Sequence, residues 1–358
     1  MWNKTRVTEL LNIQYPILQG PFGGGISSAR LVAAVSNAGG LGAYGAYQLQ
    51  PEEITDVVNE IRASTGKPFN INLWVNDIDK ESESYKLEDQ VLLKEFFKSY
   101  FIELGIPFPA QLPVPVSKFE RQAEILLKIK PPVFSFVFGI PSTEILKECK
   151  KQGIITIGAI TTLDEALVAE AAGVDIILAT GFEAGGHRPS FLKPAEDSLV
   201  GTFVLVQQVV DKIKKPVVAA GGIANGKGIA AALKLGADAV QVGTAFLACE
   251  ESNATVQHKQ KLFSADAKNT VLSRAFTGRL ARGISNRISD ELKNDPVKTA
   301  PFPLQSYIMT QIKNAAVEQN RHDLVTFWAG QIAPILRHNK ASVLFDSLVT
   351  ETRAIMEI

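Results

Sequence analysis

Eight short runs of apolar residues recur along the chain, and most of them end in glycine. Several runs are apolar throughout instead of alternating with polar residues, as at residues 217–220. Continuous apolar strands are typical of a parallel sheet that helices cover, or of a closed barrel. We therefore predict strands over residues 16–20, 40–45, 68–74, 133–139, 154–160, 175–181, 216–222 and 239–243.

Segments with helical spacing of apolar residues lie between these strands. One of them opens with a capping-box pattern, Thr162 followed three residues later by Glu165, and ends at Gly173. The alternation predicts an α/β fold, a (β/α)8 TIM barrel. An open doubly wound sheet is the alternative, but its Gly-x-Gly-x-x-Gly signature is imitated only with the wrong spacing, at residues 20–25. The predicted helices cover residues 28–37, 51–63, 142–151, 162–172, 200–214 and 225–235.

Two segments interrupt this rhythm. A bare barrel needs about 250 residues, whereas the chain has 358. Residues 76–130 are charged at first, then helical over 90–104, then rich in proline, and residues 250–358 are mostly helical in pattern. We expect residues 1–75 and 131–249 to form the barrel. The two remaining segments, 76–130 and 250–358, would form a smaller, mainly helical, substrate-covering region over the barrel mouth.

Composition excludes several classes of function. Lys+Arg and Asp+Glu are equal at 37 each, which removes the main electrostatic reason to bind nucleic acid or an anionic membrane. Cys149 and Cys249 are far apart, and no His, Asp or Glu group has metal-ligand spacing. The N-terminus has no apolar signal core, and no apolar run approaches the ~20 residues of a membrane helix. We expect a cytoplasmic protein without a metal. A homo-oligomer is compatible with the sequence, which does not determine the oligomeric state.

The loops after the seventh and eighth strands predict a phosphate site. Barrels of this type often bind phosphate there. Gly221 and Gly222 follow one strand, and Gly243 and Thr244 follow the other. Glycine lets backbone N–H groups approach a phosphate closely, and the threonine hydroxyl adds a donor. Either loop alone is explained as a tight turn, but both together at the expected strand ends favour phosphate.

Two other strand ends suit a flat ring at the barrel mouth. Gly20, Pro21 and Phe22 after the first strand offer close backbone contact. Asn72 lies inside the third strand and can donate and accept at a ring edge, although a satisfied core amide is an equal reading.

The sixth strand is followed by Gly185, Gly186 and His187. Histidine is the side chain whose ordinary pKa lies near neutrality, which suits removal of a proton from carbon. His187 is therefore the candidate catalytic base, against the alternative of a loop histidine without a role. For Glu183 we expect a solvated or salt-bridged carboxylate before a role in orienting the imidazole.

Seven short blocks of sequence lie at residues 19–21, 36–42, 183–187, 219–223, 241–244, 277–283 and 328–331. Together they resemble the motif series of the nitronate monooxygenases, formerly called 2-nitropropane dioxygenases. The resemblance implies FMN and a nitronate or nitroalkane substrate oxidised with O2 to a carbonyl compound and nitrite. It also implies that Asn72, Gly185 and Gly222 hold FMN and that His187 is the base. We also expect Thr180 to contact the flavin. At this position the chain departs from the family pattern, because some relatives carry Gln there. The resemblance further implies that FMN is held by Gln241, Val242, Gly243 and Thr244.

Aromatic residues of the C-terminal region are candidates for the wall of the substrate pocket. We assign Phe302 and Tyr307 to that wall, although ordinary helix core is an equal reading for Tyr307 and the favoured one for Trp328.

Two alternatives stay open. A flavin-type enoyl-ACP reductase shares the motifs at residues 37–42 and 183–187, and it would consume NAD(P)H. The second alternative is a barrel that binds flavin without catalysis, against which His187 is the contrary feature.

Overall fold

The predicted barrel is confirmed in the computed structural model, which describes residues 1–82, 84–85, 87–293 and 299–357. In these ranges, eight parallel strands form one sheet that curves into a nearly closed barrel. The strands are β1 (Ile17–Gln19), β2 (Gly42–Gly45), β3 (Phe69–Trp74), β4 (Val133–Val137), β5 (Ile155–Ile160), β6 (Ile176–Thr180), β8 (Val217–Ala220) and β9 (Ala239–Val242).

The sheet closes between its first two strands. Its order is β1-β9-β8-β6-β5-β4-β3-β2. A parallel bridge joins Leu18 to Leu41 just before β2. The N–H of Gln19 also donates to the carbonyl oxygen of Leu41 at 2.9 Å. All eight carboxyl ends therefore meet at one face, as this fold requires.

The barrel interior is filled by branched and small apolar side chains. Leu18, Ile157, Leu178 and Val218 belong to one buried cluster. The short helix α1 (Arg6–Leu11) adds Val7 and Leu11 to the same cluster. The interior of the barrel is therefore a packed core and not a pore. A binding site in this fold lies instead at the face where the carboxyl ends of the strands meet.

A layer of helices surrounds the strands, and the six helices predicted around the barrel are confirmed there. Their apolar faces join the strands in a single large core cluster. No helix among the described residues is long and apolar enough to cross a membrane. The six are α2 (Ala29–Asn37), α3 (Pro51–Ser64), α6 (Thr143–Gln152), α7 (Leu163–Ala171), α8 (Thr202–Val210) and α9 (Gly226–Lys234).

Two further helices complete this layer, and the sequence patterns did not assign them to it. Helix α5 (Phe119–Ile129) follows the proline-rich run and packs on α3. Helix α14 (Ala341–Met356) packs on α9 and α2. We therefore propose that the barrel includes residues 119–129 and 341–356, so that the covering region is smaller than the expected 76–130 and 250–358.

The covering region has its own apolar core. Phe97 and Phe101 of α4 (Leu87–Glu103) pack in one cluster with Ile288 and Ile308 from the C-terminal part. The insertion after β3 thus meets the residues that follow β9. The helices that follow β9 along the chain are α10 (Thr244–Leu247), α11 (Val256–Leu262), α12 (Arg287–Leu292) and α13 (Leu304–Glu318).

The covering region also contains a small antiparallel sheet, which the helical pattern did not predict. It consists of β10 (Thr270–Ser273), β11 (Ala281–Ile284) and β7 (Gly186–His187), in the order β10-β11-β7. His187 pairs with Ala281, so the loop after barrel strand β6 is joined to the C-terminal region by backbone pairing.

The contact of α14 with the barrel can be tested at one glycine. A Cβ on Gly226, the first residue of α9, would lie 2.4 Å from the Cβ of Glu351 and 2.5 Å from the backbone nitrogen of Thr352. We expect Gly226→Ala to lower the free energy of unfolding by about 2–4 kcal/mol, because α14 must move. Urea unfolding followed by circular dichroism measures this.

The matched control is Gly228→Ala in the same helical turn. A Cβ there comes no closer than 3.4 Å to another atom, a Cγ2 of Ile223. We expect that variant to stay within about 1 kcal/mol of the parent protein. Equal stability of both variants would contradict the packing of α14 against α9.

Candidate active site

A cleft opens at the carboxyl ends of the barrel strands, beneath the covering region. It is bounded by the loops after β1, β6, β8 and β9, by α13 and by residues 326–330. The site residues predicted from the sequence converge on it from distant parts of the chain. Those that line it are Gly20, Pro21, Phe22, Asn72, Thr180, Gly185, His187, Gly221, Gly222, Gln241, Gly243 and Thr244.

The glycine loops after β8 and β9 have backbone geometry suited to an anion. Gly221 and Gly222 have φ values of +110° and +68°, which favour glycine. The backbone N–H groups of Gly222, Gly243 and Thr244 donate to no other group within the described part of the chain. The Thr244 Oγ1 atom accepts a hydrogen bond from the N–H of Gly330 at 2.9 Å, which leaves its own proton to donate. These donors could hold a phosphate.

Position 185 has no room for a side chain, because its backbone packs against Ala329 and Gly330 of the C-terminal region. A Cβ on Gly185 would lie 2.6 Å from both the carbonyl carbon of Ala329 and the backbone nitrogen of Gly330. The N–H of Gln331 also donates to the carbonyl oxygen of Glu183 at 3.0 Å. Residues 328–331 therefore run directly against the loop that carries His187.

His187 is held in the cleft by one hydrogen bond and an aromatic cage. Its Nε2 atom lies 2.8 Å from the Oγ1 of Thr277, in the connection between β10 and β11. The Thr277 hydroxyl donates to the carbonyl oxygen of Arg279 at 3.3 Å, so Oγ1 is left to accept from the imidazole. We therefore assign the proton to Nε2, which leaves the unshared pair of Nδ1 without a partner among the described residues. The rings of Trp74 and Trp328 lie 4.9 and 5.3 Å from the imidazole.

The surroundings of His187 favour the neutral imidazole. Its side chain is half-buried by surface exposure, yet the cage leaves it little water. Loss of hydration, and second the positive charge of Arg279, lower the pKa of His187 to about 3. At neutral pH the group is therefore free to accept a proton.

Arg279 forms the back of this cage. The guanidinium stacks on Phe138 and Phe302, with 4.2 and 4.5 Å from Cζ to the ring centroids. Asp79, from the insertion after β3, pairs with it at 2.8 Å. Burial lowers the pKa of Arg279 while Asp79 opposes that shift. This ion pair fixes the insertion to the β10–β11 connection, directly behind His187.

Glu183 does not orient the imidazole. Its carboxylate accepts from the backbone N–H of Thr202 at 3.0 Å and from the Thr202 hydroxyl at 2.9 Å, at the beginning of α8. The carboxylate therefore stabilises the positive end of that helix.

Asn72 shares a hydroxyl inside the barrel. Its Nδ2 donates to the Oγ of Ser135 at 2.9 Å, and Asn70 donates to the same oxygen at 2.8 Å. The Oδ1 of Asn72 has no protein partner within the described ranges and remains available as an acceptor at the cleft. The residue is thus partly a core amide and partly a lining residue.

Three of the predicted site residues lie outside the lining, and one residue assigned to the core lies within it. Val242 is fully buried in β9. Phe302 sits behind Trp74, at 5.3 Å between rings. Tyr307 is 38% exposed, because the face of α13 toward the cleft carries other residues. Trp328 lines the cleft, contrary to our helix-core assignment.

Several lining residues were not identified from the sequence. Tyr47 and Trp74 stack at 3.7 Å with 8° between their planes, and they end up beside Phe138. Tyr47 follows β2 and Trp74 is the last residue of β3, so their position at strand ends was the available signal. Thr277 belongs to a family-like block, but nothing in the sequence pairs it with His187. Among the described residues, no group of three or more His, Cys, Asp or Glu could hold a metal ion.

The arrangement combines an edge of backbone N–H groups that have no acceptor among the described residues, a mouth lined by glycine, and an imidazole in an aromatic cage whose lowered pKa favours the neutral form. Such a site can position a phosphorylated ring compound and take a proton from a small substrate next to it. The cage limits the access of water to that position.

Comparisons with known proteins give a consistent result. Residues 4–351 match the family model described as nitronate monooxygenase. A "probable nitronate monooxygenase" of Staphylococcus aureus strain MSSA476 is 37% identical over 358 residues, which is 100% of this chain and 99% of the relative. The structure of a nitroalkane oxidase from Streptomyces ansochromogenes superposes with a TM-score of 0.89 at 32% identity, covering 98% and 99% of the two chains. FabK from Thermotoga maritima has a TM-score of 0.77 at 30% identity, covering 99% and 97%.

The hydrogen bond between His258 and the backbone of Trp328 predicts a pH effect on the free energy of unfolding. His258 is buried and its Nε2 donates to the carbonyl oxygen of Trp328 at 2.9 Å. Burial, with the charges of Lys313 and Lys259, lowers the pKa of His258 to about 4, although the Trp328 bond opposes the shift. The unfolded chain binds this proton near pH 6.5 and the folded chain only near pH 4. Stability is therefore lost as the pH falls through this window.

We expect the free energy of unfolding to drop more between pH 7 and pH 5 in the parent protein than in His258→Gln, by about 2 kcal/mol. Urea unfolding at the two pH values measures the difference. An identical drop in both proteins would contradict a lowered pKa of His258 in the folded state.

Proposed function

Because the chain belongs to the nitronate monooxygenase family, we propose that this oxidoreductase binds FMN in the cleft and oxidises alkyl nitronates with O2. The products would be a carbonyl compound and nitrite, and neutral nitroalkanes would be accepted after loss of their α-proton. The observation that carries the proposal is the position of His187, which lines the cleft beside the glycine-lined strand ends and whose Nε2 lies 2.8 Å from the Oγ1 of Thr277.

The residues at the mouth fit a mononucleotide. The unpaired N–H groups of Gly222, Gly243 and Thr244 would hold the phosphate. A Cβ built on Gly243 meets no atom within 4 Å, so open space adjoins that loop. The ring would lie against Gly20–Phe22, Asn72, Thr180, Gly185 and Gln241, which line the same cleft.

When bound, FMN would supply the capacity to take electrons from the substrate and pass them to O2. The protein's own part is to position the substrate, hold a proton and restrict water. His187 would take the α-proton of a neutral nitroalkane at Nδ1. Thr277 would keep Nε2 protonated and the ring fixed, so that the free electron pair stays on the nitrogen that reacts.

The aromatic cage would confine the reacting carbon. Trp74, Trp328 and Phe138 surround the imidazole with ring distances of 4.9, 5.3 and 6.1 Å. Apolar walls of this kind suit small alkyl groups and slow the entry of water to the position beside the imidazole.

The flavin-type enoyl-ACP reductase remains the alternative, because it shares the motifs at residues 37–42 and 183–187. The family match and the higher TM-score of the nitroalkane oxidase favour nitronate oxidation. A non-catalytic flavin barrel is disfavoured by the placement of His187 among the lining residues.

Anaerobic reduction of the purified protein separates these functions. We expect a flavin absorption spectrum, release of FMN by acid, and bleaching of the flavin by nitronates but not by NADH or NADPH. The measurement is stopped-flow absorbance with a panel of nitronates, nitroalkanes and both nicotinamides. Rapid NAD(P)H oxidation with an enoyl thioester and no nitronate turnover would replace the proposal by the reductase. Flavin that no compound reduces would point to the non-catalytic barrel.

The role of His187 is tested by comparing two forms of one substrate. We expect His187→Asn to lower kcat/KM for a neutral nitroalkane by about 10²–10⁴-fold, because proton removal loses its base. Turnover of the pre-formed nitronate, which needs no base, should change far less. Equal losses for both forms would exclude the base role.

Thr277 variants separate orientation of the imidazole from general damage. Thr277→Ser keeps the hydroxyl acceptor and should retain nitroalkane turnover, whereas Thr277→Val should lose about tenfold. Loss of the same size in Thr277→Ser and Thr277→Val would assign Thr277 a purely structural role.

The pH profile of the parent protein tests the lowered pKa of His187. Because the neutral form of His187 persists to low pH, kcat/KM should show no acid limb near pH 6.5 from this group.

A further inference from the structure

Two neighbouring helices on the outside of the barrel, α7 and α8, expose apolar side chains to solvent. An outer helix of a globular protein ordinarily carries charged and polar residues on the face opposite the core. Helix α3 follows this rule, since Glu52, Asp56 and Glu60 are exposed on it. Helix α8 has no charged residue over its whole length, from Thr202 to Val210. Its outward face is therefore better suited to contact with another surface than to contact with water.

The exposed apolar residues lie close together and form one surface, which we call the α7–α8 face. Helices α7 and α8 pack against each other. The N–H of Leu192 donates to the carboxylate of Glu165 at 3.2 Å, which places Leu192 beside the first turn of α7. Leu199 lies three residues before α8 begins, and Phe203, in the first turn of α8, is 65% exposed. The exposed residues of the face are Leu167, Val168, Leu192, Leu199, Phe203 and Val204.

The size of the α7–α8 face matches the apolar part of a dimer interface. A stable interface buries about 800 Å² on each partner, and about 65% of a homodimer interface is apolar, which is roughly 500 Å². From their exposed fractions, the six residues present roughly 500 Å² of mainly apolar surface. An apolar surface of this size, rimmed by polar residues, is typical of a protein–protein contact.

The charges around the α7–α8 face favour a second copy of this chain as its partner. At the edge, Lys193 and Asp164 pair at 3.1 Å, so both signs of charge stand side by side. A face of this type does not repel an identical face, and the formal net charge of zero adds no repulsion between whole copies. The exposed amides of Gln207 and Gln208 can both donate and accept, as a self-complementary contact requires.

We propose that the α7–α8 face is the contact between two copies of this chain, related by a two-fold axis. Phe203 is the most exposed of the six residues and would be the main apolar anchor, packed against the same face of the second copy. The proposal goes beyond the proposed function and does not rest on it, because neither cofactor nor substrate takes part in the contact.

The dimer would also cover the segment that leads from His187 to α8. Leu192 lies five residues after His187 in this segment, and Leu199 lies near its end. The carbonyl oxygen of Ser198 accepts from the buried Arg188 at 3.0 Å, so the segment already has one anchor inside the protein. A second copy packed on Leu192 and Leu199 would hold the same segment from outside and oppose its local opening.

Sedimentation velocity of the full chain at a series of concentrations tests the proposal. We expect the parent protein to sediment with twice the mass of one chain. Phe203→Glu would place a carboxylate at the centre of the contact, where water is excluded. We expect it to raise the dissociation constant of the dimer by about 100-fold or more.

The matched control is Leu92→Glu, the same change of charge at a residue of α4 that is 70% exposed. The charged residues Lys94 and Glu95 interrupt the apolar surface there, so we expect this variant to sediment like the parent protein. Both substitutions are at exposed positions, and thermal unfolding followed by circular dichroism checks that each variant is folded.

Hydrogen exchange gives a second measurement that locates the contact. In the parent protein, the amides of residues 188–210 should exchange more slowly at high concentration than after dilution below the dissociation constant. Residues 87–103 should exchange at the same rate under both conditions. Phe203→Glu should remove the dependence on concentration.

The proposal is overturned if the parent protein is a monomer at every concentration, or if Phe203→Glu leaves the dimer intact. A dimer that Leu92→Glu separates would place the contact on α4 and would also overturn it. None of these outcomes depends on whether nitronates reduce a bound flavin, so failure of the proposed function is recognised separately.

Discussion

The pairing of two residues with a distant hairpin organises the cleft. Gly186 and His187 leave the end of β6 and pair with Arg282 and Ala281 of β11. The N–H of Arg188 extends this pairing to the carbonyl oxygen of Leu280 at 2.9 Å. Without it, the imidazole would sit on a free loop, and Thr277 would have no fixed relation to it. A barrel strand end and a C-terminal segment about ninety residues away thus become one rigid unit, which is what a catalytic group requires.

Buried charges hold this unit in place. Arg188 is almost fully buried beneath the loop, and its guanidinium donates to the carbonyl oxygens of Thr180 and Ser198. Arg279, in the β10–β11 connection, pairs with Asp79 and stacks on the rings of Phe138 and Phe302. Ion pairs and charged hydrogen bonds of this type contribute little net stability but are strongly directional. They fix one arrangement of the loop where apolar packing alone would accept several.

The barrel was predictable because its information is local. Continuous apolar runs that end near glycine define each strand, and the carboxyl ends of parallel strands meet at one face by topology. The approximate place of the glycine loops and of His187 followed from that rule alone. The strand pair β7–β11 was not predictable, because a two-residue strand has no periodicity. The placement of α14 on the barrel likewise depends on a contact across more than a hundred residues.

The cleft wall shows the same limit at the level of single side chains. Phe302 and Tyr307 are aromatic residues of the region that covers the barrel mouth. Phe302 nevertheless lies behind Trp74, and Tyr307 is partly exposed. Trp328 lines the cleft because its backbone bridges to Gly283 and accepts from His258. Which face of a segment reaches the cleft is decided by these tertiary contacts, and residue type does not reveal them.

On the proposed function, the cage around His187 also determines which substrate form the site favours. Burial keeps the imidazole neutral and able to accept a proton, but the same burial makes the imidazolium unfavourable. Proton transfer from a neutral nitroalkane creates that imidazolium and the nitronate anion together, and only their mutual attraction offsets its burial. A nitronate that arrives pre-formed avoids this step entirely. The geometry therefore favours pre-formed nitronates, and neutral nitroalkanes are accepted to the extent that the ion pair is stabilised within the cage.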